Sequence, residues 1–213
     1  MLIIAGDICP HFDRVAGSPK DVAGQFNWLS TTFREWHAAL RVKWTVAVWG
    51  NHDFVGKYWD DEMAAAANIP WVLLQDSAAD VDGVRLWGTP YTPTFYNWAF
   101  MEDESQLVKR FGAIPEELDI LVSHGPPMWC CDRAYGAEHV GSKALYGQLM
   151  GLDVPPKHII CGHIHAGRGT GRVMHEPRPV EVWNVAAVDD RYIPHNPMWT
   201  EVILEEGQNE LIQ

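Results

Sequence analysis

Thr45-Val46-Ala47-Val48-Trp49 runs into Gly50-Asn51-His52-Asp53, a short apolar stretch ending in a turn of polar side chains, and the arrangement recurs along the chain. Leu2-Ile3-Ile4-Ala5 leads into Gly6-Asp7, Leu118-Asp119-Ile120-Leu121-Val122 into Ser123-His124-Gly125-Pro126-Pro127, and His158-Ile159-Ile160-Cys161 into Gly162-His163-Ile164-His165. Apolar runs of this length read as strands. Strands that all place their polar residues just past the C-terminal end bring them to one edge of a sheet, where α/β proteins bind ligands.

The segments between these strands read as helices and further strands. Phe26, Leu29, Phe33, Trp36 and Leu40 recur at helical spacing and predict a helix from about Val22 to Leu40. Shorter helices are expected around Trp59 to Ala67, Glu104 to Phe111 and from Ser142 onward, the last with Ser142 as its cap. Asp82-Gly83 between Ala79-Asp80-Val81 and Val84-Arg85-Leu86-Trp87-Gly88 is a hairpin signal. Trp71 to Leu74, Val180 to Val185 and Trp199 to Leu204 read as strands, the last pairing through Gly207 with Glu210-Leu211-Ile212. Helices interleaved with mixed strands make the class α/β, read as a single domain over residues 1–213.

The polar pieces share a chemistry. Asp7 offers a carboxylate that can bridge two ions, Asn51 a neutral oxygen, and His124, His163 and His165 three imidazoles. A mixed oxygen and nitrogen set of this kind suits a divalent transition metal or manganese. In extended chain, His163 and His165 point to the same side. Each piece alone has a plainer reading, Gly6-Asp7 as a turn and His124 as a loop histidine; their joint occurrence after strands carries the inference.

Composition sets bounds on partners and compartment. With 28 acidic against 16 basic side chains, the formal net charge of −12 disfavours nucleic acid as a partner. No apolar run approaches the roughly 18 residues of a membrane span, and no signal peptide is recognisable at Met1, so a cytoplasmic location is expected. Cys9, Cys130, Cys131 and Cys161 lack metal or disulfide spacing and are read as reduced thiols. Of the eleven tryptophans, Trp49 and Trp129 flank polar pieces, where packing is favoured over stacking on a ligand. Gly136 to Lys143 has the lysine and serine of a phosphate loop inverted and reads as a turn and helix start. Arg168, in the Gly167-Arg168-Gly169-Thr170-Gly171 loop, is the candidate contact to a phosphate.

In the order Gly6-Asp7, Gly50-Asn51-His52-Asp53, His124 and Gly162-His163-Ile164-His165, the chain resembles the calcineurin-like metallophosphoesterases. Ser123-His124-Gly125-Pro126-Pro127, His139-Val140-Gly141, Pro156-Lys157-His158, Gly162 to Gly167 and Asn184-Val185-Ala186-Ala187 extend the resemblance to the small metallophosphoesterase-domain branch. It implies a two-sheet α/β/β/α sandwich and hydrolysis of a phosphoester by a metal-bound hydroxide at two divalent ions, manganese first, with iron, zinc, nickel or magnesium as alternatives. The family's opening D-x-H piece would lie upstream of Leu2, so the fold is expected to be N-terminally abbreviated. The resemblance then implies one complete site, of Asp7, Asn51, His124 and His163, and one incomplete site of Asp7 and His165. His11 and Asp13 are read as ordinary loop residues, with replacement ligands as the alternative.

By the same resemblance His52 is the catalytic acid beside the leaving oxygen, and Asp53 orients its other ring nitrogen. The expected substrate is a small phosphodiester such as a cyclic nucleotide. A phosphomonoesterase, or a weakened metal-binding scaffold of the same fold, is the alternative. No membrane partner is expected, and a homo-oligomer is compatible with the reading.

Overall fold

The computed structural model describes residues 1–176 and 178–202. Strands β1 (Leu2–Ala5), β2 (Thr45–Val48) and β3 (Val72–Leu73) form a parallel three-stranded sheet, with Ile3 opposite Val46 and Ala47 opposite Leu73. The chain continues through β4 (Ser77–Val81), β5 (Val84–Thr89), a small pair of β6 (Thr92–Pro93) and β7 (Met101–Glu102), then β8 (Ile120–Ser123), β9 (His158–Cys161), β10 (Gly169–Val173) and β11 (Val180–Asn184). A second sheet of six strands has the order β10-β11-β9-β8-β5-β4, parallel in the middle and antiparallel at both ends.

Alternation along the strands builds four layers. On β8, Ile120 and Val122 face β1 and β2 in a core with Ala5, Val46, Val48, Leu86 and Ile160, which lies between the two sheets. Leu121 points the other way, with Ile159, Val182 and Trp87, onto Leu107 and Phe111 of α4 (Glu104–Phe111) and Leu145 and Leu149 of α5 (Lys143–Gly151). The opposite face of the small sheet presents Ile4 to Leu29, Phe33 and Ala67, on and between α1 (Pro19–Trp28), α2 (Arg34–Ala39) and α3 (Asp61–Ala67). All four residues of β2 and of β8 are buried, as expected where a parallel sheet is covered on both faces. The α/β/β/α sandwich expected from the motifs is the observed architecture.

Local signals act as chemistry requires. Asp82 and Gly83 adopt φ 59° and 81°, the left-handed pair that a tight hairpin needs. Ser142 Oγ accepts the Leu145 N–H at 3.1 Å and caps α5, while Glu104 at the start of α4 accepts the Lys143 and Ala144 N–H groups at 2.8 and 2.7 Å. All four cysteines are free thiols.

Two expectations change. The helix over 22–40 begins earlier, at Pro19 after the Ser18 cap, and passes through a π-helical turn at Leu29–Phe33. After that turn the inward position is His37, bonded to Thr45 Oγ1 at 2.8 Å, whereas Trp36 is exposed. Residues 199–202 form no strand; the rest of the segment expected to pair there lies outside the described residues.

Gly88 of β5 lies close against the small sheet: a Cβ there would sit 2.5 Å from Leu74 Cβ and 2.8 Å from Val48 Cγ1. Overpacking of this kind costs about 1–3 kcal/mol. Gly88→Ala is expected to lower stability by that amount in urea titrations, and an unchanged midpoint would disprove the close approach.

Candidate metal centre

The polar pieces meet at the C-terminal ends of β1, β2, β8 and β9, and they are packed backbone against backbone. A Cβ on Gly50 would lie 2.2 Å from the Asp7 nitrogen and 2.6 Å from His124 Cε1, so this turn accepts glycine alone. Asp7 and His163 adopt φ 53° and 64°, a left-handed conformation that non-glycine residues take rarely and at a cost of about 1–3 kcal/mol each. Asn184, buried at the end of β11, donates to the carbonyls of Ile164 at 2.9 Å and Cys131 at 3.0 Å, pinning the turn that carries His163 and His165.

Asp7, His124 and His163 each place one donor atom within 4.8 Å of the others. His124 Nδ1 lies 2.7 Å from the Ala5 carbonyl, which can only accept, so that nitrogen carries the proton and Nε2 keeps a lone pair. Nε2 faces Asn51 Oδ1 at 2.9 Å and Asp7 Oδ2 at 3.4 Å. Electron-pair donors converging in this way repel unless a proton or a cation lies among them.

The electrostatics agree. Burial works to raise the Asp7 pKa, but His124, His52 and His163 outweigh it and hold the carboxyl well below its ordinary value. Burial works against a charge on His124, and Asp7 overcomes it and lifts that pKa. Burial, with His124 nearby, drives His163 down to about 3, leaving a neutral imidazole with its lone pair available. One carboxylate, one amide oxygen and two imidazoles fit a divalent cation of the borderline class. His165 stands outside this tight group, at the head of a 3-10 turn rather than in extended chain. The alternation that put it beside His163 therefore does not operate. Its Nδ1 is 3.1 Å from the Asp189 carbonyl, which leaves Nε2 free for a ligand, as in His124.

Residues 1–167 match the family described as calcineurin-like phosphoesterase. The chain belongs to that family. It is 30% identical over 192 residues to metallophosphoesterase domain-containing protein 1 of Homo sapiens and of Mus musculus, covering 78% of this chain and 56% of those relatives. A UPF0046 protein of Caenorhabditis elegans is 32% identical over 99 residues, 46% of this chain and 25% of that protein. These likenesses set it on the small metallophosphoesterase-domain branch, and it spans about half the length of the first two relatives. A solved crystal structure shares the fold at TM-score 0.53 and 19% identity, over 78% of this chain and 67% of the other.

Within this calcineurin-like frame, one expected contact is corrected. Asp53 does not orient the His52 ring. Its buried carboxylate turns beneath the loop and accepts the N–H groups of Cys9 and Gly50, both at 2.7 Å. Burial, then the neighbouring Asp7, pushes its pKa up to about 6. The partner of His52 Nδ1 is His11 Nε2 at 2.7 Å, and His11 Nδ1 lies 3.2 Å from Asp21 Oδ2. The His52 N–H donates to Asp7 Oδ1 at 2.8 Å. Gln25, fully buried, donates to the His52 carbonyl at 2.8 Å and accepts from Val55 N at 2.9 Å. Trp98 packs on the His52 ring with centroids 4.5 Å apart.

His11, Asp21, Gln25 and Trp98 were not picked out as site residues by motif. The available signal was Asp21 and Gln25, four apart on the helix following the Asp7 loop. Arg168 is directed elsewhere: its guanidinium donates to the Ala186 carbonyl and to Pro197 O at 3.2 Å. Trp49 is wholly buried against Trp59 and Trp71, and exposed Trp129 packs edge-on to Tyr146.

The cluster lies at one end of a cleft of about 1130 Å3 that runs along β1, lined by Ile3, Trp36, Ile120, Ile160, Val185 and Trp199 among others. Among the described residues β1 pairs only with β2.

Adding Mn2+ to metal-stripped protein is expected to raise stability by about 2.7 kcal/mol at a hundredfold excess over the dissociation constant. Asp7→Asn and His163→Ala should remove most of that gain in thermal melts run with and without chelator. Absence of any shift in the unsubstituted protein would sink the assignment of these side chains as ligands.

Proposed function

We propose that this protein is a divalent-metal-dependent hydrolase of small phosphodiesters, with Mn2+ the cation. The observation that carries the reading is the convergence of Asp7, Asn51, His124 and His163 around one point, with the backbone of His52 hydrogen-bonded to the same Asp7 carboxylate. These four side chains would hold one cation, and Asp7 with His165 would be the ligands left for a second.

Bound cations would supply charge to hold the phosphoryl oxygens and to activate water for attack on phosphorus. The chain's own contribution is position and proton transfer. Asp7 fixes the His52 backbone relative to the ligands, and Trp98 restricts the plane of its ring. His52 donates a proton to the departing oxygen, a role general acids fill at a gain of about 10²–10⁴ in rate. Asp53 holds the Gly50 turn from below, so that Asn51 and His52 leave it in fixed directions.

A charge of −12 on the chain favours cations and a small substrate over a polyanion. The free thiols accord with a reducing compartment such as the cytoplasm.

Hydrolysis of bis-p-nitrophenyl phosphate and of cyclic nucleotides should require added Mn2+. His52→Ala should lower kcat on cyclic nucleotides by about 10²-fold, and much less on the p-nitrophenyl ester, whose leaving group needs less help from an acid, with the bound metal unchanged. Metal bound with no turnover of any of these esters would replace the hydrolase reading with a binding role.

A further inference from the structure

Asp21 is a carboxylate with no exposed surface, in the first turn of α1. A buried anion is tolerated only where donors surround it. Here they are the N–H of Phe12 at 2.6 Å, the N–H of Gly17 at 2.8 Å and His11 Nδ1 at 3.2 Å. The positive end of the helix adds to them. Burial acts to raise the Asp21 pKa, but these donors outweigh it and keep the group ionised. An ionised carboxylate only accepts, so in the neutral ring the one proton of His11 sits on Nδ1 and Nε2 has a lone pair. The proton in the 2.7 Å bond between His11 Nε2 and His52 Nδ1 therefore belongs to His52. Asp21 fixes the tautomer of His11, and His11 fixes that of His52. Among the described residues no protein group bonds His52 Nε2, which is left for a ligand.

The rings are also held in plane. His11 packs on Trp98 at 5.6 Å and on Phe54 at 6.2 Å, and His52 lies against the same Trp98. The backbone of His52, by contrast, is held by Gln25 and Asp7, so removing the His11 side chain leaves the turn anchored.

We propose that His11 and Asp21 are positioning residues, which lock His52 as its Nδ1–H tautomer and present Nε2 to the leaving oxygen. The chemical consequence rests on the hydrolase reading; the tautomer does not. To act as the acid, His52 first takes a second proton from water at Nε2; when the phosphorus–oxygen bond breaks, the electron pair stays on the departing oxygen and that Nε2 proton passes to it. The ring that remains is the Nδ1–H form, whose proton His11 accepts.

The test uses the whole chain labelled with 15N-histidine, and reads the His52 ring nitrogens by NMR in slightly alkaline buffer. The unsubstituted protein should show His52 as Nδ1–H. His11→Ala and Asp21→Asn should both move it toward Nε2–H, and His11→Gln, whose amide can accept from His52 and donate to Asp21, should restore it.

With Mn2+ present, His11→Ala should lower hydrolysis of a phenyl ester about tenfold or more, while a p-nitrophenyl ester, which needs less help from an acid, changes by no more than about twofold. Combined with His52→Ala it should cost nothing further. An unchanged His52 tautomer in both His11→Ala and Asp21→Asn, equal losses on the two esters, or losses that multiply with His52→Ala would each overturn the proposal. If the unsubstituted protein hydrolyses neither ester, the hydrolase reading fails, and the NMR comparison still decides the role of His11.

Discussion

The Asp7 carboxylate accepts the His52 N–H at 2.8 Å through one oxygen and lies 3.4 Å from His124 Nε2 through the other, joining turns that follow three different strands. Those turns would otherwise repel: they bring a carboxylate, an amide oxygen and imidazole lone pairs into one space. What lets them close is the absence of side chains at Gly6 and Gly50. A Cβ on Gly6 would lie 2.4 Å from His124 Nδ1, the atom that bonds the Ala5 carbonyl. The strand ends are thus placed by contacts that are mostly backbone, and side-chain charge is left to be satisfied by a cation. Left-handed φ at Asp7 and His163 is part of the same arrangement, strain held at a site by the packing around it.

The layers and most of the cluster were legible in the sequence because they depend on local order. Apolar runs ending in Gly-Asp, Gly-Asn-His, Ser-His and Gly-His are read one strand at a time, and a parallel sheet aligns their ends. Glu104 to Phe111 was read as a helix and is one. The His52 support was not. Adjacency suggested Asp53, but the turn sends that side chain beneath the loop to Cys9 and Gly50. Asp21 and His11 acquire meaning only when α1 packs against the Gly50 turn, a tertiary event with no local signature. The π-helical turn at Leu29–Phe33 was hidden for a related reason, since its residues keep helical spacing and only the inward position, His37 instead of Trp36, reveals it.

Helix α1 and the turn after it therefore serve two ends. Leu29 and Phe33 face Trp49, Ala67 and Ile69 in an apolar cluster, whereas Asp21 and Gln25 are fully buried and polar. Every polar atom these two bury meets a partner from the site loops: Phe12, Gly17 and His11 for Asp21, His52 and Val55 for Gln25. Satisfied in this way, such groups add little net stability but penalise any other docking, because a displaced helix would strand them without partners. The helix that completes the core thereby also sets the orientation of the site loops.

Asp21 and Asp53 make the electrostatic logic explicit. Both are buried carboxylates that accept two backbone N–H groups each, yet Asp21 is held below its ordinary pKa and Asp53 is lifted to about 6. Burial raises both and weighs more heavily on Asp53, and the neighbours then act in opposite directions: Asp21 has its backbone donors, His11 and the start of α1, and Asp53 has the Asp7 anion. A cation on Asp7 would cancel the charge that disfavours ionised Asp53 and strengthen its hold on Gly50 and Cys9. Metal binding would then tighten the same turn that aims Asn51 and His52, so ligation and the orientation of the acid are coupled through one loop.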